Sequence, residues 1–296
     1  MGFLAPRSRL LIGWSMFALL LASVWFGGLW WSLLILIACG VAIQELLGLL
    51  DKTNHVRPSY LVLIVFSAAL MLEGVAGKPT WFMPTLTLAV ITTFIGLLLR
   101  VVQKARQGVS RIGGSMADMG ATLMVLFYLA FLPAHWLLLR QLGGNEMGRV
   151  YVLFAVLVVV GSDVGAYFTG KRFGRSLLIA EISPKKTREG ALGGLLLSIA
   201  VGAVLAPYCH MAYWQSIVLA LLLSIVAQLG DLVESLMKRD AGVKETGHIL
   251  YGHGGVLDRI DSWLFVGPVA YYGIEWLVLQ QGWLWQEAIP FFQKYF

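Results

Sequence analysis

The sequence predicts an all-α integral membrane protein with about nine transmembrane helices. Of its 296 residues, 58% are hydrophobic and only 13% are charged, whereas a soluble protein carries about 25% charged residues. Several apolar runs are long enough to cross a bilayer as helices, and they lack the alternation of a membrane β-barrel strand. Together these observations exclude a water-soluble globular domain and a disordered chain.

Nine apolar runs of helical length follow one another along the chain. They are residues 10–26, 29–50, 60–76, 82–99, 115–133, 149–169, 191–209, 213–236 and 262–281. The first run follows Arg7 and Arg9, as the core of a signal peptide would. Because it is long and leads directly into the second run, we interpret it as a retained anchor.

The basic residues predict the orientation of these spans. If nine spans alternate across the membrane, the 22 Lys and Arg residues fall on the side of the N-terminus, except Lys78, Arg140, Arg149 and Lys294. Since cytoplasmic loops are enriched in Lys and Arg, we expect a cytoplasmic N-terminus and a C-terminus on the opposite side of a bacterial inner membrane. The net charge of +6 is then explained by topology and by anionic ligands, and no nucleic-acid partner is expected.

No polar stretch is long enough for a soluble domain, so we expect one polytopic membrane domain over residues 1–296. The predicted outer connections are short, and 134–148 is the longest of them. The long connections 170–190 and 230–261 face the cytoplasm, which places the expected chemistry there. The helices of 149–281 are therefore the predicted catalytic part, and those of 1–133 have no assigned role.

The segment 230–261 combines carboxylates, basic residues and glycines. On a helix, Asp231, Ser235 and Lys238 would lie on one face, and Asp258 and Asp261 would share a face if a helix resumes there. Carboxylates suit Mg²⁺, which also binds substrate phosphates, and nearby Lys and Arg bind the remaining phosphate oxygens. The pattern favours phosphoryl or nucleotidyl transfer over a solvated, salt-bridged loop, which is the simpler interpretation of any one charged loop.

A second cluster occupies residues 161–190. Asp163 lies inside the sixth predicted span, where an ionised carboxylate is costly and indicates a pairing or pathway role. Lys185 and Lys186 follow a Ser-Pro pair and suit a phosphate, or alternatively an anionic lipid surface. Gly190 and Gly194 have the spacing of closely packed membrane helices.

Three features lie outside these clusters. Glu45 stands at the cytoplasmic end of the second run, where we expect it to pair with Arg9 or with the cluster in the second half. Cys39 and Cys209 lie in or beside apolar runs, so they provide no disulfide framework and are expected to be buried. Glu73 and Asp118 have no partner that the sequence identifies.

The motif over 235–261 closely resembles the signature of phosphatidate cytidylyltransferases, also called CDP-diacylglycerol synthases. The matching residues are Ser235, Lys238, Arg239, Lys244, Gly247, Gly252, His253, Gly254, Gly255, Asp258, Arg259 and Asp261. Segments around Asp163 and around Lys185 and Lys186 also look like the family's, so the resemblance covers about 161–261. Glu245 and Tyr251 depart from the signature, because the family usually has Asp and Pro there.

The resemblance implies transfer of a cytidylyl group from CTP to phosphatidic acid, giving CDP-diacylglycerol and pyrophosphate. It implies that catalysis depends on Asp231, Lys238, Asp258 and Asp261, with Mg²⁺ on the three aspartates and room for a second cation. The implied substrate-binding residues are Ser235, Arg239, Lys244, His253, Gly254, Gly255, Arg259, Lys185, Lys186 and Asp163.

Other functions stay open at this point. A cytidylyltransferase or CTP-dependent kinase for another lipid would use similar chemistry, and a catalytically impaired paralogue would keep only lipid or nucleotide binding. A transporter using Asp163 and Glu73 is disfavoured, because no internal repeat is evident. The expected partners are CTP, phosphatidic acid or a related lipid phosphate, and membrane lipids, and a homo-oligomer is allowed.

Overall fold

A computed structural model describes residues 6–54, 56–107, 115–247, 249 and 254–280. This part of the chain is built almost entirely of helices, with one small hairpin. The helices are α1 (Pro6–Phe26), α2 (Gly28–Asn54), α3 (Tyr60–Val75), α4 (Phe82–Arg106), α5 (Ser115–Leu126), α6 (Leu132–Gln141), α7 (Gly144–Phe173), α8 (Arg188–Leu205), α9 (Tyr213–Asp240) and α10 (Leu257–Gly273). The strands are β1 (Leu177–Ile179) and β2 (Ser183–Thr187), which pair antiparallel.

Six helical stretches within these ranges are long and apolar enough to cross a membrane. They are Gly28–Lys52, Pro79–Arg106, Met116–Gln141, Gly144–Phe173, Arg188–Leu205 and Tyr213–Asp240. Two further apolar helical stretches, Gly13–Phe26 and Tyr60–Val75, are shorter. The helical membrane character predicted from composition is therefore confirmed, whereas nine spans and their orientation stay predictions.

Each predicted apolar run overlaps a helix, but the fifth continues further than expected. The chain stays helical from Ser115 to Gln141, passing through a π-helical turn at Phe127–Phe131. The predicted outer connection 134–148 was therefore wrong, since α7 already begins at Gly144. His135 and Arg140 lie in the part of this helix that was not predicted as a span; both are buried, and the Arg140 guanidinium donates to the carbonyl oxygens of Val24 and Asn145.

The two long polar connections are also shorter or more ordered than predicted. α9 continues to Asp240 and α10 begins at Leu257, so only residues 241–256 of the segment 230–261 lie between helices. The connection 170–190 contains the β1–β2 hairpin, which was not predicted because its sequence has no apolar periodicity. Thr187 ends β2 and caps α8, because its hydroxyl accepts the Gly190 N–H at 3.1 Å.

The described chain divides into two compact units. The first contains residues 1–20, 28–138 and 237–260, and the second contains residues 21–27, 139–236 and 261–296. In the first unit, α3 packs on α4 and α5, and the Trp31 indole donates to the Trp136 carbonyl oxygen at 3.0 Å.

In the second unit, α7 packs along α8. A Cβ on Gly194 would lie 2.8 Å from the Ser162 carbonyl oxygen, and one on Gly190 would lie 2.9 Å from that of Ala166. The close packing predicted for these two glycines is confirmed, because any side chain would push the helices apart.

Candidate functional site

The Asp258 carboxylate lies in the first turn of α10 and is surrounded by hydrogen-bond donors of the first unit. Its Oδ1 is 2.7 Å from Lys238 Nζ, near the end of α9. Its Oδ2 accepts the Thr246 N–H and hydroxyl, both at 2.9 Å, and the Gly255 N–H at 2.8 Å. The side chain is 6% exposed, so both oxygens are satisfied within the protein.

Glu45 lies beside this carboxylate and is also bound by the loop 241–256. It belongs to α2 and is 7% exposed. Its oxygens accept the Val256 N–H at 3.0 Å and the Leu257 N–H at 2.8 Å, and the Thr246 hydroxyl is 3.2 Å away. The expected pairing of Glu45 with the second-half cluster is confirmed, whereas the side chain of Arg9 lies outside the described part.

The glycines of the signature make room for these two carboxylates. A Cβ on Gly247 would collide with Glu45 Oε1, and one on Gly255 would collide with the Thr246 hydroxyl and Glu45 Oε2. Gly254 has φ +82°, a left-handed conformation that favours glycine. The N–H groups of Gly255, Val256 and Leu257 bind carboxylates, and the binding of substrate by Gly254 and Gly255 stays a prediction.

A cavity of about 510 Å³ opens in the second unit between α7, α8, α9 and the hairpin. We call it the hairpin cavity. Its charged lining consists of Asp163, Lys171, Lys185, Lys186 and Asp231, and polar groups come from Thr187 and Gln228. This arrangement suits an anionic ligand that approaches past the exposed hairpin.

An ion pair between Lys186 and Asp231 lies in the wall of the hairpin cavity. Lys186 Nζ is 2.6 Å from Asp231 Oδ2, and the two side chains are 29% and 36% exposed. The Ser235 hydroxyl lies 3.4 Å from Asp231 Oδ1, one helical turn further along α9. Asp163 lines the same cavity as this pair.

The structure thus brings the predicted residues together in two groups. Lys238 and Asp258 meet in the first unit, while Asp163, Lys185, Lys186, Asp231 and Ser235 gather in the second. Asp261 is buried, and its Oδ1 accepts the N–H and hydroxyl of Ser262. Arg239, Lys244, Glu245 and Arg259 are exposed, and His253 and Tyr251 lie outside the described residues.

The carboxylates of the two groups can be compared with the ligands that Mg²⁺ requires. Over residues 6–54, 56–107, 115–247, 249 and 254–280, no three His, Cys, Asp or Glu side chains are close enough to form a metal site. Mg²⁺ commonly uses only one or two carboxylates and completes its shell with water and substrate phosphates. The half-exposed Asp231, beside Asp163 in the hairpin cavity, fits that donor set, whereas Asp258 would have to give up an internal hydrogen bond.

Thr246, Thr187 and Gln228 were not predicted from the sequence to belong to the site, and Glu45 was predicted only as a pairing partner. A carboxylate inside an apolar run was the available signal for Glu45, since such a charge is costly unless it is bound. Thr246 gave no signal, because a threonine in a polar loop is unremarkable until its backbone partner is known.

Comparison with known proteins identifies the family. The model of the cytidylyltransferase family matches residues 7–277. A phosphatidate cytidylyltransferase of Synechocystis sp. is 41% identical over 184 residues, which cover 53% of this chain and 62% of that protein. The phosphatidate cytidylyltransferase of Bacillus subtilis is 39% identical over 157 residues, covering 52% and 58% of the two chains.

A plant relative gives the same result. The chloroplastic phosphatidate cytidylyltransferase 4 of Arabidopsis thaliana is 35% identical over 217 residues, covering 64% of this chain and 54% of that protein. The matches span somewhat more than half the length of each of these three relatives. The family model nevertheless covers most of the chain, in agreement with the resemblance carried by residues 161–261. The chain belongs to the cytidylyltransferase family.

Proposed function

We propose that this protein transfers a cytidylyl group from CTP to phosphatidic acid, releasing pyrophosphate and forming CDP-diacylglycerol. The observation that carries this proposal is the Lys186–Asp231 pair in the wall of the hairpin cavity, with Lys185 beside it. A basic, half-open cavity between apolar helices suits a phosphate attached to a lipid. The names of the relatives support the choice of CTP and phosphatidate.

The reaction needs little covalent chemistry from the protein. An oxygen of the lipid phosphate attacks the α-phosphorus of CTP, and the bond from that phosphorus to the bridging oxygen breaks, so that pyrophosphate carries the electron pair away. Because the attacking phosphate is already anionic, no general base is required. Catalysis then consists of positioning and charge neutralisation.

The basic residues would bind the phosphates of the two substrates, and the acidic residues would bind Mg²⁺. Lys185 and Lys186 would hold the lipid phosphate in the hairpin cavity, where Asp163 and Asp231 limit the net positive charge. Lys238, Arg239, Lys244 and Arg259 would neutralise the triphosphate and the departing pyrophosphate. Asp231 and Asp163 would hold Mg²⁺ in the hairpin cavity, where a bound Mg²⁺ would withdraw charge from the phosphate oxygens. Asp258 and Asp261 stay metal ligands predicted from the sequence.

The membrane topology belongs to the same proposal. Nine spans, a cytoplasmic N-terminus and an outer C-terminus would place the hairpin and the loop 241–256 on the cytoplasmic side of the inner membrane, where CTP is found. The helices of 149–281 would be the catalytic part of one polytopic domain. Phosphatidic acid would reach the cavity sideways from the bilayer, and a homo-oligomer is compatible with this arrangement.

The direct test is an assay of the purified full-length protein in detergent with phosphatidic acid, Mg²⁺ and CTP labelled on the α-phosphate. Label in the lipid product together with released pyrophosphate supports the proposal. Label that leaves as CDP, with phosphate added to the lipid, indicates a CTP-dependent kinase. A panel of other lipid phosphates identifies a different acceptor, and CTP binding without product on any lipid indicates an impaired paralogue.

A matched pair of variants connects the assay to the cavity. Lys186→Gln removes the charge that pairs with Asp231, whereas Arg172→Gln removes an exposed charge that lies on the Phe173 ring, 5.6 Å from its centre. We expect the first change to raise KM for phosphatidic acid and the second to leave it within twofold. Equal effects of both variants would contradict the role of the cavity.

A further inference from the structure

Glu45 is a buried carboxylate that the proposed reaction does not use. It lies on α2, 7% exposed, and its partners Thr246, Val256 and Leu257 come more than 200 residues later. All four residues belong to the first unit. A carboxylate at this depth is stable only if donors satisfy it, and here the donors belong to the loop that precedes Asp258.

The position of Glu45 determines how α10 begins. The first N–H groups of a helix have no partner inside the helix, and Ser, Thr, Asp or Asn at the preceding position usually supplies one. Val256 precedes α10 and has no side-chain acceptor. Glu45 supplies two acceptors from another helix, because one oxygen takes the N–H of Val256, just before α10, and the other takes the N–H of Leu257, its first residue.

Glu45 is also joined to Asp258 through Thr246. The Thr246 hydroxyl lies 3.2 Å from Glu45 Oε2 and 2.9 Å from Asp258 Oδ2. Asp258 is the second residue of α10, so a change in the start of the helix moves its backbone directly. Any displacement would disturb the 2.7 Å contact between Asp258 and Lys238.

The loop is shaped to admit this particular side chain. Gly247 and Gly255 both face the Glu45 carboxylate, and a Cβ at either position would collide with it. Two glycines at sites of close approach leave a space the size of a carboxylate, and the N–H groups around it are arranged for an anion. A merely tolerated buried charge would not account for all of these contacts.

We infer that Glu45 is a positioning residue: it fixes the start of α10 and thereby holds Asp258 against Lys238 for the transfer reaction. The catalytic part of this inference rests on the proposed function, whereas the structural part does not. Glu45 itself acts through Asp258, so its loss is expected to slow turnover more than it weakens binding of CTP.

The test compares Glu45→Gln with Glu45→Asp in the full-length protein, and Gln44→Ala, an exposed neighbour on the same helix, is the control. Loss of hydrogen bonds to a charged group predicts a decrease in kcat of about tenfold or more for Glu45→Gln, with KM for CTP changing less than kcat. Glu45→Asp keeps the charge and should recover part of the rate. If Glu45→Asp is no better than Glu45→Gln, or if the rate loss equals the loss of folded protein, the inference is wrong.

Hydrogen exchange tests the positioning without any activity. In the substrate-free protein, Glu45→Gln should accelerate exchange of the Val256 and Leu257 amides, while Gln44→Ala leaves them unchanged. A protein that is inactive on every lipid would overturn the proposed function, yet this measurement would still decide the position of Glu45. Unchanged exchange in Glu45→Gln would overturn the inference even if the enzyme is active.

Discussion

Two lysine–aspartate pairs in this molecule have the same chemistry and very different surroundings. Lys238 and Asp258 in the first unit are 2.7 Å apart and 16% and 6% exposed. Lys186 and Asp231 in the second unit are 2.6 Å apart and 29% and 36% exposed. Asp258 accepts three further hydrogen bonds, from Thr246 and Gly255, whereas Asp231 has a long contact with Ser235.

The difference shows that the distance between Nζ and Oδ alone does not determine whether an ion pair contributes to structure or to binding. The first pair is satisfied by the protein and holds a loop in one shape. The second pair lines a cavity, and water or a ligand can reach it, so its partners can be exchanged at little cost. We call Lys238–Asp258 the closed pair and Lys186–Asp231 the open pair. The closed pair is therefore expected to contribute mainly to structure and the open pair mainly to binding.

The largest expected difference between the two pairs is in the free energy of unfolding when the lysine of each pair is replaced. Lys238→Met leaves Asp258 as a buried charge without its cation, which should lower the free energy of unfolding by about 3–5 kcal/mol. Lys186→Met leaves a half-exposed carboxylate that water can solvate, at a cost of about 0–1 kcal/mol. Denaturant unfolding in detergent measures both, and similar losses would remove the distinction between the pairs.

Replacing the aspartate of each pair tests the same comparison by catalytic activity. Asp231→Asn should lower kcat by about 10²–10³-fold, the usual effect of losing one electrostatic group at a reacting phosphate, with unfolding unchanged. Asp258→Asn should also lower stability, because an amide group would face donors from Thr246 and Gly255. Steady-state rates and thermal unfolding of the two variants decide this; a stable, inactive Asp258→Asn would make Asp258 a purely catalytic group.

A smaller effect on stability is expected from adding a methyl group beside the closed pair. Gly255→Ala places a methyl group against Thr246 and Glu45, and such overpacking costs about 1–3 kcal/mol. Gly48→Ala on α2 meets nothing within 4 Å and should be neutral or stabilise the helix slightly. Melting temperatures of both variants measure the difference, and a neutral Gly255→Ala would show that the loop can relax.

The smallest effect is predicted for Ser235 in the open region. Its hydroxyl is 3.4 Å from Asp231, a long contact on a half-buried helix face, so Ser235→Ala should change the free energy of unfolding by less than about 0.5 kcal/mol. A change in KM for CTP without a change in stability would assign Ser235 to substrate binding. A large loss of stability would mean that the contact with Asp231 is stronger than its length indicates.

Much of the fold was accessible from the sequence because lipid imposes a simple rule. A helix in a bilayer needs a long apolar run, so the runs marked the helices directly. His135 and Arg140 are polar residues in the continuation of the fifth run, which was not predicted as helix. His135 contacts the Phe131 carbonyl oxygen one turn earlier, and Arg140 donates to the carbonyl oxygens of Val24 and Asn145. The β1–β2 hairpin was missed because short strands in a polar connection have no apolar periodicity.

The candidate site was accessible in part. The helical spacing of Asp231, Ser235 and Lys238 was correct because α9 extends through all three. The burial of Cys39 and Cys209 was also confirmed. The sequence could not separate Asp231, in an open cavity, from Asp258, bound on both oxygens, because both are aspartates beside basic residues.

The contacts of Glu45 also have a consequence for synthesis of the protein. They join positions that are 211 and 212 residues apart, and long-range contacts of this kind form late in folding. α2 is made before the loop 241–256, so its carboxylate must wait for 211 further residues to be translated before its first backbone donor exists. Correct burial of Glu45 is thus a late step of assembly, and a chain interrupted before Thr246 would leave this carboxylate without any of its donors in the loop.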